Sequence, residues 1–317
     1  VTRICLGGRG MIRHKIGVSD TARTGKVRSA TVIPARITRP ADTRLVATFD
    51  PRDAGLAPGR YDWRIASHSR QCSPDAPKKR GAECLSHFPG QGRLEYDLRP
   101  VRVVGCTGGD GRFVNHGPRR FRRVALTFDD GPADYTGGIL KRLRRARVKA
   151  TFFMLGQQVA RYPSYARRVL AQGHEIANHS YNHPMLPSGR NIHATSRRIK
   201  GVTGFRPCLF RPPYGAVNKS VMRSAARNRM KVVNWDVDTE DWRLPGAASI
   251  ARTIVKRSRP GSIILMHDAG GPRAGTVHAL TKAIRGLRRR GFKLVTVSEL
   301  LGNRMIYRPV PRNRSGS

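Results

Sequence analysis

The sequence predicts an α/β protein, a parallel (β/α) barrel preceded by a small all-β domain. Three observations carry this. Over residues 121–302, strand-like and helical runs alternate, and about seven such units in series imply a parallel sheet curled into a barrel. Over residues 41–106, apolar and polar residues alternate with period two between turn residues, the pattern of antiparallel strands with one wet face. Ionisable residues fall at the ends of several apolar runs, where barrels and open α/β sheets gather their ligands.

Residues 1–40 are basic and lack clear periodicity, so a poorly ordered or irregular segment is expected there. Leu45, Ala47 and Phe49 then alternate with polar partners, as do Tyr61, Trp63 and Ile65, and Leu94, Tyr96 and Leu98. These runs predict a small β-sandwich-like domain over 41–106. Residues 107–120, rich in Gly and Arg, read as a linker. In the α/β part, strands are expected at 123–129, 150–155, 174–178, 208–211, 231–237, 262–267 and 293–297. Helices are expected at 137–146, 159–172, 191–201, 219–229, 248–258 and 276–290. Several of these helices are amphipathic, and the arginines of the last, from Arg285 to Arg290, read as a solvated face. A basic tail, 303–317, follows.

The 317 residues carry 61 Lys and Arg against 20 Asp and Glu, a net charge of +41. Such an imbalance is a statement about partners. Nucleic acid is not favoured, because no zinc finger, helix-turn-helix or RNP-type aromatic motif is present. Anionic cell-envelope polymers and a solvated Arg-biased surface both fit, and the even spread of charge argues against a dedicated stripe. No apolar run reaches the length of a membrane span, and Val1 to Gly10 lacks the apolar region of a signal peptide. Among five cysteines, Cys72–Cys84 and Cys106–Cys208 are candidate pairs that would leave Cys5 over. Five reduced thiols are the alternative.

Chemistry concentrates in a few segments. Val124 to Phe128 lead into adjacent carboxylates, Asp129 and Asp130, and Gly131-Pro132 stops the strand. Two neighbouring acids point in different directions, so one can bind a cation while the other handles a proton. An ordinary strand with an Asp-Gly turn gives the same pattern. His179 and His183 stand at i and i+4, a spacing that on one helical turn puts both rings on one face. Two imidazoles and one carboxylate make a three-ligand zinc-type site. Ser180 occupies the place of the glutamate in the zincin H-E-x-x-H pattern, so a base must come from elsewhere, and Asp129 is available. Phe210 to Gly215, Asp238 to Trp242 and Ser262 to Asp268 add further strand ends with polar residues.

Taken together, these segments resemble the five ordered motifs of the NodB-type polysaccharide deacetylases, carbohydrate esterase family 4. They run Thr127 to Pro132, His179 to His183, Arg211 to Tyr214, Asp238 to Trp242, and Leu265 to His267. The resemblance covers 121–302 and says little about residues 1–105. It sharpens the fold to a distorted, incomplete (β/α) barrel. It implies a metal-dependent hydrolase removing N-acetyl or O-acetyl groups from a polysaccharide, such as a peptidoglycan or chitin-like cell-wall glycan. One divalent ion, Zn²⁺ before Co²⁺ or another metal, is implied on Asp130, His179 and His183. Asp129 is implied as the base, held by Arg211, and His267 as the acid, oriented by Asp241. The Tyr214 backbone N–H is implied as an oxyanion donor, and Pro213, Trp242 and Leu265 as the substrate-pocket wall. A monomer in an extracytoplasmic, secreted or wall-associated setting is expected. A catalytically silent glycan- or envelope-binding protein of the same fold is the alternative.

Overall fold

The computed structural model describes residues 102–308 throughout and, outside them, only the backbone of strands between residues 2 and 101 and at 309. The chain divides into two compact units, Val1–Val101 with Pro309–Ser317, and Arg102–Arg308. In the first, β1 (Thr2–Ile4), β2 (Lys15–Thr21) and β3 (Val27–Pro34) form an antiparallel sheet where an irregular segment was expected. Antiparallel pairs follow: β4 (Arg36–Ala41) with β5 (Arg44–Thr48), β6 (Gly59–Trp63) with β9 (Leu94–Leu98), and β7 (Ile65–Ser69) with β8 (Cys84–Phe88). The three alternating runs fall on these strands except at Phe49, which lies outside the described residues. Packing of the pairs into a sandwich, the Cys72–Cys84 pair and Cys5 lie outside the described residues.

The second unit begins with β10 (Val101–Cys106), which pairs with β20 (Met305–Pro309). Its main sheet runs β11 (Phe113–Val114), β16 (Lys231–Val233), β15 (Leu209–Phe210), β14 (Glu175–Asn178), β13 (Thr151–Met154), β12 (Arg123–Asp129), β18 (Ile263–His267) and β17 (Val237–Asp238). A short β19 (Lys293–Leu294) also pairs with β12, and every pairing in this sheet is parallel. The sheet is a curled, incomplete barrel with β11 and β17 at its two ends. The expected linker thus contributes an edge strand, and the expected basic tail begins as one. At two residues, β11 gives too short a periodic signal to read.

The helices are α1 (Asp134–Ala146), α2 (Gly156–Arg161), α3 (Pro163–Ala171), α4 (Gly189–Thr203), α5 (Lys219–Arg227), α6 (Ala247–Arg257), α7 (Ala274–Arg289) and α8 (Val297–Leu301). The single helix expected over 159–172 breaks at Tyr162, because Pro163 offers no N–H and starts a new helix at its first position. The strand expected over 293–297 ends early. Thr296 caps α8 by accepting the Glu299 N–H, and Glu299 accepts the Thr296 N–H in return.

The central strands are buried on both faces, as a parallel sheet under helices requires. Along β12, Val124, Leu126 and Phe128 pack with Ile139, Leu140 and Leu143 of α1 and with Leu280 and Ile284 of α7. The intervening Ala125 belongs to an inner cluster with Phe153, Leu209, Val233 and Ile263. Period two therefore places Thr127 and Asp129 on the inner face. Cys106 and Cys208 form a disulfide with Cα atoms 5.7 Å apart, tying β10 to the segment entering β15. Among the described residues, no helix is long and apolar enough to cross a membrane.

Candidate active site

Register gathers the site. Asp129, the last residue of β12, pairs directly with His267, the last of β18. Asn178, the last of β14, pairs with Phe210, the last of β15, so His179 and Arg211 leave the sheet side by side. All four strands are parallel, so their C-terminal ends form one rim.

The two histidines are presented by a loop, not by the helical turn that their spacing suggested. The chain turns sharply after β14, with Ser180 and His183 both in the left-handed region at φ 73° and 64°. Asn178 Oδ1 accepts the Ser180 N–H, and Ser180 Oγ accepts the His183 N–H. This reversal folds the rings together, with centroids 5.1 Å apart. Asp130 is left-handed as well, at φ 74°. Clustered strain of this kind is characteristic of sites whose surroundings over-determine the backbone.

Asp130 Oδ1 lies 3.5 Å from His179 Nε2 and 3.3 Å from His183 Nε2. That oxygen is buried and has no hydrogen-bond partner. His179 Nδ1 donates to the Arg211 carbonyl at 2.8 Å, which leaves its Nε2 lone pair facing Asp130. Burial, followed by the charge of His179, lowers the His183 pKa and favours the neutral imidazole. Burial alone would raise Asp130, but the neighbouring imidazoles of His179, His267 and His183 lower its pKa to about 2. An orphaned carboxylate oxygen and two convergent imidazoles fit a divalent cation of the zinc type.

Arg211 is fully buried beside this cluster. It donates to Asp129 Oδ1 at 2.7 Å, Thr127 Oγ1 at 2.9 Å, the Val233 carbonyl at 3.0 Å and the Asn234 carbonyl at 3.2 Å. Its guanidinium stacks over the Phe153 ring at 4.0 Å. One oxygen of Asp129 is thereby fixed, and the other, Oδ2, lies 3.7 Å from His179 Nε2. Across the rim, His267 Nδ1 donates to Asp241 Oδ1 at 2.7 Å, and the His267 N–H donates to Oδ2 at 2.8 Å. Thr276 Oγ1 also donates to Oδ2, at 2.6 Å. Burial lowers the His267 ring, yet the hydrogen bond and charge of Asp241, with the charges of Asp129 and Asp130, raise its pKa overall.

The rest of the expected constellation sits on the same rim with differing exposure. Pro213 and Leu265 are buried, whereas Tyr214 and Trp242 are exposed. Tyr214 is left-handed at φ 57°, and its ring meets His183 edge-on at 4.6 Å. Sequence reading assigned no role to Thr127, Thr136, Asn234, Asp268 or Thr276, all of which bond directly to the site or to its turn. Two of them carried a signal: Thr127 lies inside the first motif, and Asp268 stands immediately after His267.

Residues 116–233 match the family described as polysaccharide deacetylase. A peptidoglycan-N-acetylglucosamine deacetylase of Bacillus cereus is 40% identical over 192 residues, covering 58% of this chain and 90% of its own. This chain belongs to the polysaccharide deacetylase family. The longer deacetylase PgdA of Listeria monocytogenes is 37% identical over 191 residues, and the match spans 58% of this chain but 40% of PgdA. The crystal structure of the Bc1960 peptidoglycan N-acetylglucosamine deacetylase, bound to an N-hydroxybenzamide, superposes with a TM-score of 0.58 and 36% identity. That match covers 60% of this deacetylase-family chain and 92% of the Bc1960 chain.

Proposed function

We propose that this protein is a metal-dependent deacetylase of an acetylated cell-wall glycan, acting on N-acetyl groups of a peptidoglycan or chitin-like polymer outside the cytoplasm. The observation that carries the reading is the meeting, on one rim, of the Asp130–His179–His183 cluster, an Arg-held Asp129 and an Asp-held His267. The relatives' names support the glycan class.

In this reading Asp130, His179 and His183 hold the ion, Zn²⁺ by their chemistry. A divalent ion so held supplies Lewis acidity toward a carbonyl and toward water. Asp129 takes the proton of the attacking water through Oδ2, while Arg211 fixes Oδ1. The Tyr214 N–H donates to the oxygen on which negative charge develops. His267, its Nδ1 committed to Asp241, gives the proton on Nε2 to the departing amine nitrogen. Water adds across the C–N bond, and acetate and a free amino sugar leave. Trp242 offers an exposed ring to a sugar, and Pro213 and Leu265 back the acetyl site. The +41 charge supports retention on anionic envelope polymers, weakening with salt.

Acetate release from a panel of peptidoglycan, chitin oligomers and acetylated xylan tests the substrate class. Release from the first or second is expected. Release from none of them with the metal-loaded protein would contradict the proposal. The silent binding module is the less supported reading, since each position the reaction uses is filled.

A further inference from the structure

Asp268 follows His267, is 1% exposed, and has no part in the chemistry above. Its hydrogen bonds go to the turn that carries the two site aspartates and to the first turn of α1. The Asp268 N–H donates to the Asp129 carbonyl at 3.1 Å. Oδ1 accepts the Gly131 N–H at 3.1 Å, and Oδ2 accepts the Thr136 hydroxyl at 2.5 Å. Thr136 Oγ1 in turn accepts the Ala133 N–H at 2.8 Å, at the start of α1. One residue thus ties both flanks of Asp130 to β18, the Asp129 side through its backbone N–H and the Gly131 side through its carboxylate, which also reaches the first turn of α1.

The fit is close. A Cβ at Gly131 would stand 2.2 Å from Asp268 Oδ2. On the other side of Asp130, a Cβ at Gly270 would stand 2.6 Å from Asp130 Oδ2. Arg273, 4% exposed, donates to the Gly270 and Pro272 carbonyls, both at 2.9 Å, and so fastens this loop. Asp130 occupies the left-handed region, which is uncommon for non-glycine residues and is tolerated best by Asn and Asp.

We infer that Asp268 is a positioning residue: through the Gly131 N–H and the Thr136 hydroxyl it locks the turn that aims Asp130 at His179 and His183. This rests on the metal reading proposed above. Asp268 acts on the ion only through the backbone of its carboxylate ligand, much as outer hydrogen bonds orient the ligands of metal sites. The bonds, not the charge, are what the turn requires. An asparagine at 268 still accepts from Gly131 and can donate to Thr136 Oγ1, whose hydroxyl rotates to suit.

The test is calorimetric titration of Co²⁺ into the metal-stripped full chain, for the unaltered protein, Asp268→Asn and Asp268→Ala, beside thermal melts with and without Co²⁺. Asp268→Ala is expected to weaken Co²⁺ binding by about 10–100-fold, and Asp268→Asn by less than about threefold. The Co²⁺-induced rise in Tm should shrink in the alanine variant, as mass action requires. A purely structural residue would lower both melts alike and leave the affinity unchanged, and that result overturns the inference. Equal weakening in both variants overturns it too, since charge would then be the cause. If Asp268→Ala does not fold, Thr136→Val removes half of the clamp and should weaken Co²⁺ several-fold, and unaltered affinity there is equally fatal. Failure of the unaltered protein to bind Co²⁺ refutes the metal reading itself, and the inference falls with it.

Discussion

Replacing Arg211 with methionine is the sharpest perturbation of the barrel interior. The side chains of Arg211 and Asp129 are 0% and 3% exposed and 2.7 Å apart. Methionine fills much of the space but donates nothing. It leaves the Asp129 carboxylate buried without its cation, and strips donors from the Val233 and Asn234 carbonyls. Breaking a buried pair from one side costs about 3–5 kcal/mol, because the remaining charge keeps its desolvation penalty. Arg211→Lys keeps the charge but loses the planar fork that reaches four acceptors at once, so it too should destabilise, by less. Urea unfolding at pH 7, read by two optical probes, measures the loss as a shift in midpoint at constant slope. The double variant Arg211→Met, Asp129→Leu removes both charges and should recover most of the loss. A loss under about 1 kcal/mol for Arg211→Met, or no recovery in the double variant, would refute the argument that this pair is a buried, mutually dependent unit.

Four further outcomes are expected. Burial, helped by the Lys149 charge, depresses His174 from 6.5 to about 4, and its Nδ1 accepts the Ala150 N–H as a neutral ring. The unfolded chain therefore takes the proton first, and stability present above pH 6.5 is lost as pH falls toward 4, by roughly 3 kcal/mol from this group. His174→Gln should flatten the stability profile over that window, and an unaltered slope would exclude His174 as a cause. Asp129→Asn should keep the metal and lose about 10²–10⁴-fold in kcat. His267→Ala should also keep the metal, yet spare an activated aryl acetate relative to an N-acetyl substrate, since the better leaving group needs less protonation. Metal loss in Asp129→Asn would reassign the two aspartates. Thiol titration of unfolded, unreduced protein should find no more than three free thiols, given the Cys106–Cys208 bond, and five would contradict it.

Most of the barrel was legible because its strands and helices are long enough to show their periods. The strand 123–129 was placed to the residue, and six helical runs were located within a few residues. Where the reading slipped, a local bond had outweighed the pattern. The run 231–237 is two strands, because the Asp236 carboxylate accepts from the Ile263 N–H, Ser262 and Arg119 and turns the chain between them. The candidate site residues stood out as residue types at strand ends, and register explains why they meet. What the spacing of His179 and His183 did not reveal is the loop that presents them, since an i, i+4 pair on a helix and one on a reversing loop look alike. Asp268 was given no role for a related reason: its partners, Gly131 and Thr136, lie over 130 residues away in sequence, and nothing beside Asp268 points to them.

The account stands or falls on the ion at Asp130, His179 and His183. The direct measurement is metal content beside acetate release, on chelator-stripped full chain titrated with Zn²⁺ and supplied with N-acetylated peptidoglycan. Activity should be absent without metal, rise in step with occupancy and level off at about one equivalent per chain, and His179→Ala should take up no ion at that site. Full acetate release from protein shown to be metal-free, or stoichiometric Zn²⁺ binding undiminished in His179→Ala, would contradict it.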